Sequence, residues 1–273
     1  MTSCTWDCDD PNDPECFNYD PCLDVHPAKA VISFYEPLSY GDLLGYLNKT
    51  DTVLHGSGAV FKAEGVGTKH TWVLGAETLA VDEFYRSGLP WGNIKVTLIA
   101  EVEEDSCLET HELIDTAVKY LHVWPNSGDS NVKKSHPFWG TWKGHNLDEP
   151  EKEFTISWGY IYKTPRTSFD FTGLPYGLPK QLPFYGRSSA AGDINYRLGY
   201  NSAVMYGRGL NQWAGFGLRA VCIRKGNTIR IQYSYDGMRH QRWLNGEGST
   251  SEPEAWVSNT FIGRKISDEV LTE

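Results

Sequence analysis

From Glu153 to Tyr162 the chain reads EFTISWGYIY, with Phe154, Ile156, Trp158, Tyr160 and Tyr162 at every second position. Side chains of a strand alternate between two faces, so this spacing puts five large groups on one side of a sheet. A helix would scatter the same residues around its circumference. The two-residue period recurs in VTLIAEV, where Val96, Leu98, Ala100 and Val102 share a face. In TIRIQYSY it predicts Ile229, Ile231, Tyr233 and Tyr235 inward and Thr228, Arg230, Gln232 and Ser234 outward. The 36 aromatic residues, with 27 Gly and 14 Pro, suit short strands joined by turns. The expected fold class is all-β.

The pattern divides the chain. Residues 1–27 are acidic, rich in Cys, Pro, Asp and Asn, and lack periodicity, so they read as an extended tether. Residues 28–124 hold the strand candidates AVISFYE, TVLHGSGAVFKAE, KHTWVLG, NIKVTLIAEVE and TAVKYLHVW. Residues 125–137 are polar and proline-bounded, a linker. Residues 138–273 hold a second set of strands, including a predicted three-strand meander from Phe216 to Leu244. Lys225-Gly226-Asn227 is its first turn, and Asp236-Gly237 has the dipeptide of a type I′ hairpin. Residues 163–215 are an irregular Gly/Pro/aromatic stretch with no clear period.

Charge excludes one class of partner. The net charge is −10, of which residues 1–27 carry −7 with no Lys or Arg. No basic stripe exists to release counterions from a phosphate backbone, so nucleic acid is not an expected partner. No apolar run approaches the roughly 20 residues of a membrane-spanning helix. Six Cys stand at 4, 8, 16, 22, 107 and 222. Clustering four of them in a short polar segment points to disulfides and an oxidising compartment. Their spacings fit no zinc pattern. Cys8 or Cys22 with Cys16 is the expected pairing, and Cys107 and Cys222 are the expected unpaired thiols.

Three stretches carry family resemblances. Thr2-Ser3-Cys4 is similar to the tail of a bacterial lipobox, and Asp7, Asp9 and Asp10 after it resemble the export signal of surface lipoproteins of Bacteroidota. That resemblance implies lipidation at Cys4 and a surface-exposed protein anchored to the outer membrane. The series Asp51-Thr-Val-Leu, AVFKAEG, HTWVLGAE, IKVTLIAEV and DTAVKYLHVW resembles the PKD-type immunoglobulin-like domains of Bacteroidota surface proteins. His70 replaces the family's Tyr, and Gly75-Ala76-Glu77 its Gly-Asp-Gly. The resemblance implies a β-sandwich with Trp72 in its core. Gly140-Thr141-Trp142 is similar to the lipocalin Gly-x-Trp, and Arg264 in FIGRK to the late-strand Arg that packs over that Trp. It implies that residues 138–273 form a lipocalin-like antiparallel β-barrel or sandwich, with Trp142 and Arg264 as structural residues.

Little in the chain suggests chemistry. The eight His are scattered, and neither a metal-binding His pair nor a G-x-S-x-G elbow is present. The acidic run Asp7 to Asp13 lacks the Gly of a tight calcium loop. No catalytic residue, metal or cofactor is expected. Tyr176, Tyr185, Tyr206 and Trp213 lie in Gly/Pro-rich sequence and are candidate ligand-binding aromatics, able to stack on a sugar or anchor a protein. The expected function is non-catalytic: binding a glycan or another outer-membrane protein, or holding an outer-membrane assembly together. The alternative is a carbohydrate-active enzyme with its site in the second domain, and a third reading is a purely structural subunit.

Overall fold

A computed structural model describes residues 10–14, 16, 18–38, 46–125, 136–161, 168–172, 181–185, 194–207, 219–236 and 256–269. Their regular elements are all strands save a 3-10 turn at Thr110–Glu112. The chain divides into two compact units. One holds residues 1–34, 60–86 and 93–121, and the other holds 35–59, 87–92 and 122–273. The second therefore takes in residues 35–59, 87–92 and 122–124, which the sequence reading assigned to the first domain. Residues 36, 48 and 50 explain part of this, since their side chains bond to residues 200–202.

The first nine strands are β1 (Ile32–Leu38), β2 (Tyr46–Lys49), β3 (Thr52–Leu54), β4 (Ala59–Ala63), β5 (Lys69–Leu74), β6 (Glu77–Ala80), β7 (Glu83–Arg86), β8 (Gly92–Glu101) and β9 (Ile114–Trp124). They form a four-stranded sheet, β2-β1-β4-β7, and a five-stranded sheet, β3-β9-β8-β5-β6. β3 runs parallel to β9, with Val53 opposite Val123. β5 lies antiparallel to both its neighbours. Val96, Leu98 and Ala100 are fully buried, as their alternation predicts.

Aromatic rings fill the core of the first unit. Phe61 on β4 stacks on Phe84 of β7 at 4.7 Å, and Trp72 on β5 meets them edge-on at 6.2 and 5.6 Å. These are favourable arrangements of ring quadrupoles. Trp72 is fully buried, and its indole N–H donates to the Val81 carbonyl at 2.8 Å, so the ring brings no orphaned donor inside.

The N-terminal segment differs from the expected extended tether. Between residues 10 and 25 successive amides bond back to carbonyls three residues earlier, among them Cys16 to Asp13, Tyr19 to Cys16 and Val25 to Cys22, and Asp20 bonds to Pro11. Its end is fastened where the Ala28 amide reaches the Glu112 carbonyl at 2.8 Å. Cys22 forms a disulfide with Cys107, across 85 residues of sequence, instead of closing a short loop inside the segment. Cys16 is also disulfide-bonded, whereas Cys222 is a buried free thiol. Spacing favours near partners because short loops close cheaply. Folding of the chain brought the distant Cys107 within reach.

A crosslink spanning so long a loop restricts the unfolded chain strongly, typically by about 2–4 kcal/mol. Cys107→Ser should therefore lower the unfolding free energy of the first unit by that amount under non-reducing conditions, read as a lower denaturant midpoint. An unchanged midpoint would show that the bond is energetically silent.

The remaining strands are β10 (Gly140–Asn146), β11 (Glu149–Ile161), β12 (Ser168–Thr172), β13 (Gln181–Tyr185), β14 (Ile194–Leu198), β15 (Ser202–Gly207), β16 (Arg219–Lys225), β17 (Thr228–Asp236) and β18 (Trp256–Ser267). They make one antiparallel sheet in the order β13-β12-β11-β10-β18-β17-β16-β15-β14. This corrects the expectation of a closed barrel: β13 and β14 approach one another, but no ladder joins them. The chain's first and last strands of this region are neighbours as expected, yet they meet in the middle of the sheet. Gly226 supplies the positive φ, 58°, of the β16–β17 turn. The partner of β17 after Asp236 begins only at Trp256, not directly beyond Asp236-Gly237.

Trp142 is fully buried with Phe138, Trp139, Ile156, Trp158 and Phe261, and its indole N–H donates to the Phe138 carbonyl at 3.1 Å. Gly140 before it has φ 129°, and a Cβ there would lie 2.2 Å from the Ser267 carbonyl oxygen. The cation over Trp142 is Lys265, its ammonium 5.7 Å from the ring, and not Arg264, which is exposed. A register shift between Thr141 and Trp142 sets Trp142 opposite Lys265 and Lys143 opposite Arg264. Residues directly opposite each other share a face, so Arg264 falls on the outer one.

Candidate functional site

Among the described residues of the second unit, a polar cluster forms around the carboxylate of Glu36. In β1 the alternation that buries Ile32 and Phe34 brings Glu36 to the same inward face, where it is 1% exposed. The hairpin turn between β14 and β15 meets it with a row of donors. Tyr200 N–H reaches Oε1 at 2.5 Å, while Asn201 N–H and the Ser202 hydroxyl reach Oε2 at 3.0 and 2.6 Å. The Leu54 main chain donates as well. Successive amides aimed at one point form an anion-binding concavity. Gly199 lets the carboxylate come close, since a Cβ there would stand 2.4 Å from Glu36 Cδ.

Around this centre the turn is held on every side. Asn201 accepts from Arg224 Nη2 at 2.5 Å and donates to the Thr50 hydroxyl at 2.7 Å, and its carbonyl accepts from Asn48 at 3.3 Å. The Arg224 guanidinium lies over the Tyr200 ring at 5.5 Å, and the Trp124 ring is 5.2 Å from that ring. Among the described residues, Trp124 Nε1 and Arg224 Nε are buried without an acceptor. Burial pushes the Glu36 carboxyl above its usual range, and the Ser202, Tyr200, Asn201 and Leu54 hydrogen bonds only partly oppose that.

His136 supports the same turn. Phe138 N–H donates to its Nδ1, which assigns the proton to Nε2, and that N–H donates to the Gly199 carbonyl at 3.1 Å. Burial pulls the imidazole down to about 3, with Arg224 and Lys265 adding repulsion, so it is neutral at ordinary pH. Chemically the cluster is a built binding arrangement, in which donors converge on one carboxylate that the chain itself supplies.

Glu36, Asn201, Ser202 and Arg224 were not singled out from sequence. One signal was available: a Glu at an inward position of an otherwise apolar alternation in AVISFYE. Of the candidates that were singled out, Trp72 and Trp142 are core residues. Tyr185 lies on β13 opposite Ser168, and Tyr206 on β15 opposite Asn195 and Arg219. Those are two strands at opposite ends of the sheet order. Tyr176, Trp213, Cys4 and Cys8 lie outside the described residues. Among the described residues no cluster of three or more His, Cys, Asp or Glu is placed to hold a metal, and no helix is long and apolar enough to cross a membrane. No family model, curated protein or solved structure matches this chain.

Proposed function

We propose that this chain is a non-catalytic, surface-exposed lipoprotein of the outer membrane. It is anchored by a lipid on Cys4 and binds a glycan or protein ligand or helps hold an outer-membrane assembly together. In this reading residues 28–124 are a PKD-type immunoglobulin-like spacer and residues 138–273 a lipocalin-like recognition domain. The parallel pairing of β3 with β9 and the buried Trp72 support the first assignment; Gly140 and the packed Trp142 support the second.

The observation that carries the proposal is the cysteine pattern. Disulfides take up Cys22, Cys107 and Cys16, and such bonds belong to proteins that mature in an oxidising compartment. The proposal assigns Cys4 to the lipid. An outward row on β9 supports the binding role: Ile114, Val118 and Tyr120 are each more than half exposed. Tyr176, Tyr185, Tyr206 and Trp213 are the proposed ligand contacts of the second domain.

The precursor expressed in its native envelope should fractionate with membranes, and the mass of its N-terminal peptide should carry acyl chains. Several chains anchor firmly where one, at about 0.8 kcal/mol per methylene, binds only marginally. Cys4→Ser should release the protein into the soluble fraction. A soluble native protein, or a Cys4→Ser variant that stays membrane-bound, overturns the proposal.

A further inference from the structure

In the five-stranded sheet β9 lies between β3 and β8, yet β3 pairs only with His122–Trp124. Among the described residues no strand pairs with β9 on that side before His122. On the β3 side His122 N–H donates to the Asp51 carbonyl, and the Trp124 carbonyl accepts from His55. On the other side the Leu113 carbonyl accepts from Val102, just past β8. Main-chain groups of successive strand residues point to opposite edges. Ile114, Thr116, Val118 and Tyr120 therefore direct their N–H and C=O groups to the open edge. We propose that this edge pairs with the same edge of a second copy of the chain, antiparallel and symmetric about Ala117.

An open edge is a template for another strand, and inward-pointing charges ordinarily turn such a strand away. β9 carries two, both half-buried. Asp115 accepts from Ala30 N–H at 2.7 Å, and the Lys119 ammonium lies over the Phe34 ring at 5.2 Å. An incoming strand is admitted where it brings the opposite charge to each position, and β9 itself does so. With Ala117 opposite Ala117, Asp115 faces Lys119 of the second copy, and Lys119 faces its Asp115. Those are close, non-hydrogen-bonded pairs. Thr116 falls opposite Val118 and Ile114 opposite Tyr120, in pairs that exchange both main-chain hydrogen bonds.

Other registers that keep these edge groups facing one another fit worse. Centring the pair on Asp115 or Lys119 sets like charges opposite each other. Centring it on Thr116 or Val118 sets each charge against Ala117, Leu113 or Leu121. The pairing about Ala117 runs from Ile114 to Tyr120 and stops short of His122, whose edge β3 holds. It depends on neither the lipid anchor nor the ligand proposed above. A strand pair of this length is a small interface, so the dimer is weak, with a dissociation constant in the micromolar range or above.

Sedimentation equilibrium of the full chain, from micromolar to millimolar concentration, tests the pairing. Wild type should pass from monomer to dimer, and a monomer throughout overturns the proposal. Asp115→Lys and Lys119→Asp each set like charges opposite in both pairs, so each alone should weaken association at least about tenfold. An equimolar mixture of the two variants sets every charge against its opposite and should restore a one-to-one dimer. Undiminished association of either variant alone, or no recovery in the mixture, overturns the proposal. Ala117→Cys leaves both charges in place and gives a reading even if the charge variants do not fold. Facing residues of a non-hydrogen-bonded pair stand about 4.5 Å apart at Cα, within reach of a disulfide. Mild oxidation should therefore crosslink Ala117→Cys faster than Thr116→Cys or Val118→Cys. A preference for either of those positions, or no crosslink at 117, overturns the pairing.

Discussion

Acidification from pH 6.5 toward 3 should cost the folded protein roughly 5 kcal/mol at one imidazole. His136 has a native value of about 3 against an ordinary 6.5, because burial disfavours its cation. An unfolded chain takes up the proton at 6.5 and the native chain does not. The contribution is thus fully present above 6.5 and drains away as pH falls toward 3, at about 1.4 kcal/mol per pH unit. That is comparable to the whole stability of an ordinary domain. His136→Asn provides the control. Its amide oxygen can still accept from Phe138 N–H but cannot reach the Gly199 carbonyl. The variant should be less stable at pH 7 and should lose less on acidification. Parallel acid profiles for the two proteins would remove His136 as the cause.

Trp142→Ala should be about as costly, roughly 3–5 kcal/mol, through lost burial and the cavity left in the Trp139–Ile156–Phe261 cluster. The melting temperature of the second unit should drop by about 10–20 °C. Lys265→Ala should cost about 0.5–2 kcal/mol by removing the cation from the indole face. Arg264→Ala, on the outer face, should fall within about 0.5 kcal/mol of wild type. Scanning calorimetry of the three variants decides the order. A folded Trp142→Ala protein that merely loses a ligand would make Trp142 part of a binding surface.

Legibility in the sequence followed the range of each interaction. The inward rows of β8, β11 and β17 were readable because the strand period is local and one residue reports on the next. Trp72 and Trp142 were reached instead through the family resemblances of the stretches that hold them. The choice between Arg264 and Lys265 was not, because a single irregularity between Thr141 and Trp142 decides it, and nothing in either strand's alternation announces a bulge. Cys107 stood alone in the sequence, and only the fold of the chain across a separation of 85 brings it to Cys22. The Glu36 cluster was least legible. Its parts lie more than 160 residues apart, and each reads in isolation as an ordinary strand end or turn.

The placement of β18 also governs the order in which the sheet can be assembled. β18 hydrogen-bonds to β10 on one side and β17 on the other, so a strand that follows both in the chain is the keystone of the second sheet. Until Trp256–Ser267 arrives, β10–β13 and β14–β17 are separate half-sheets, each with a bare edge of unpaired N–H and C=O groups where β18 should join. Pairing across so long a separation is intrinsically slow, and chains in that interval are prone to pair with one another. Synthesis therefore cannot be accompanied by stepwise completion of this sheet. Its two halves wait for a strand threaded between them after both have been made.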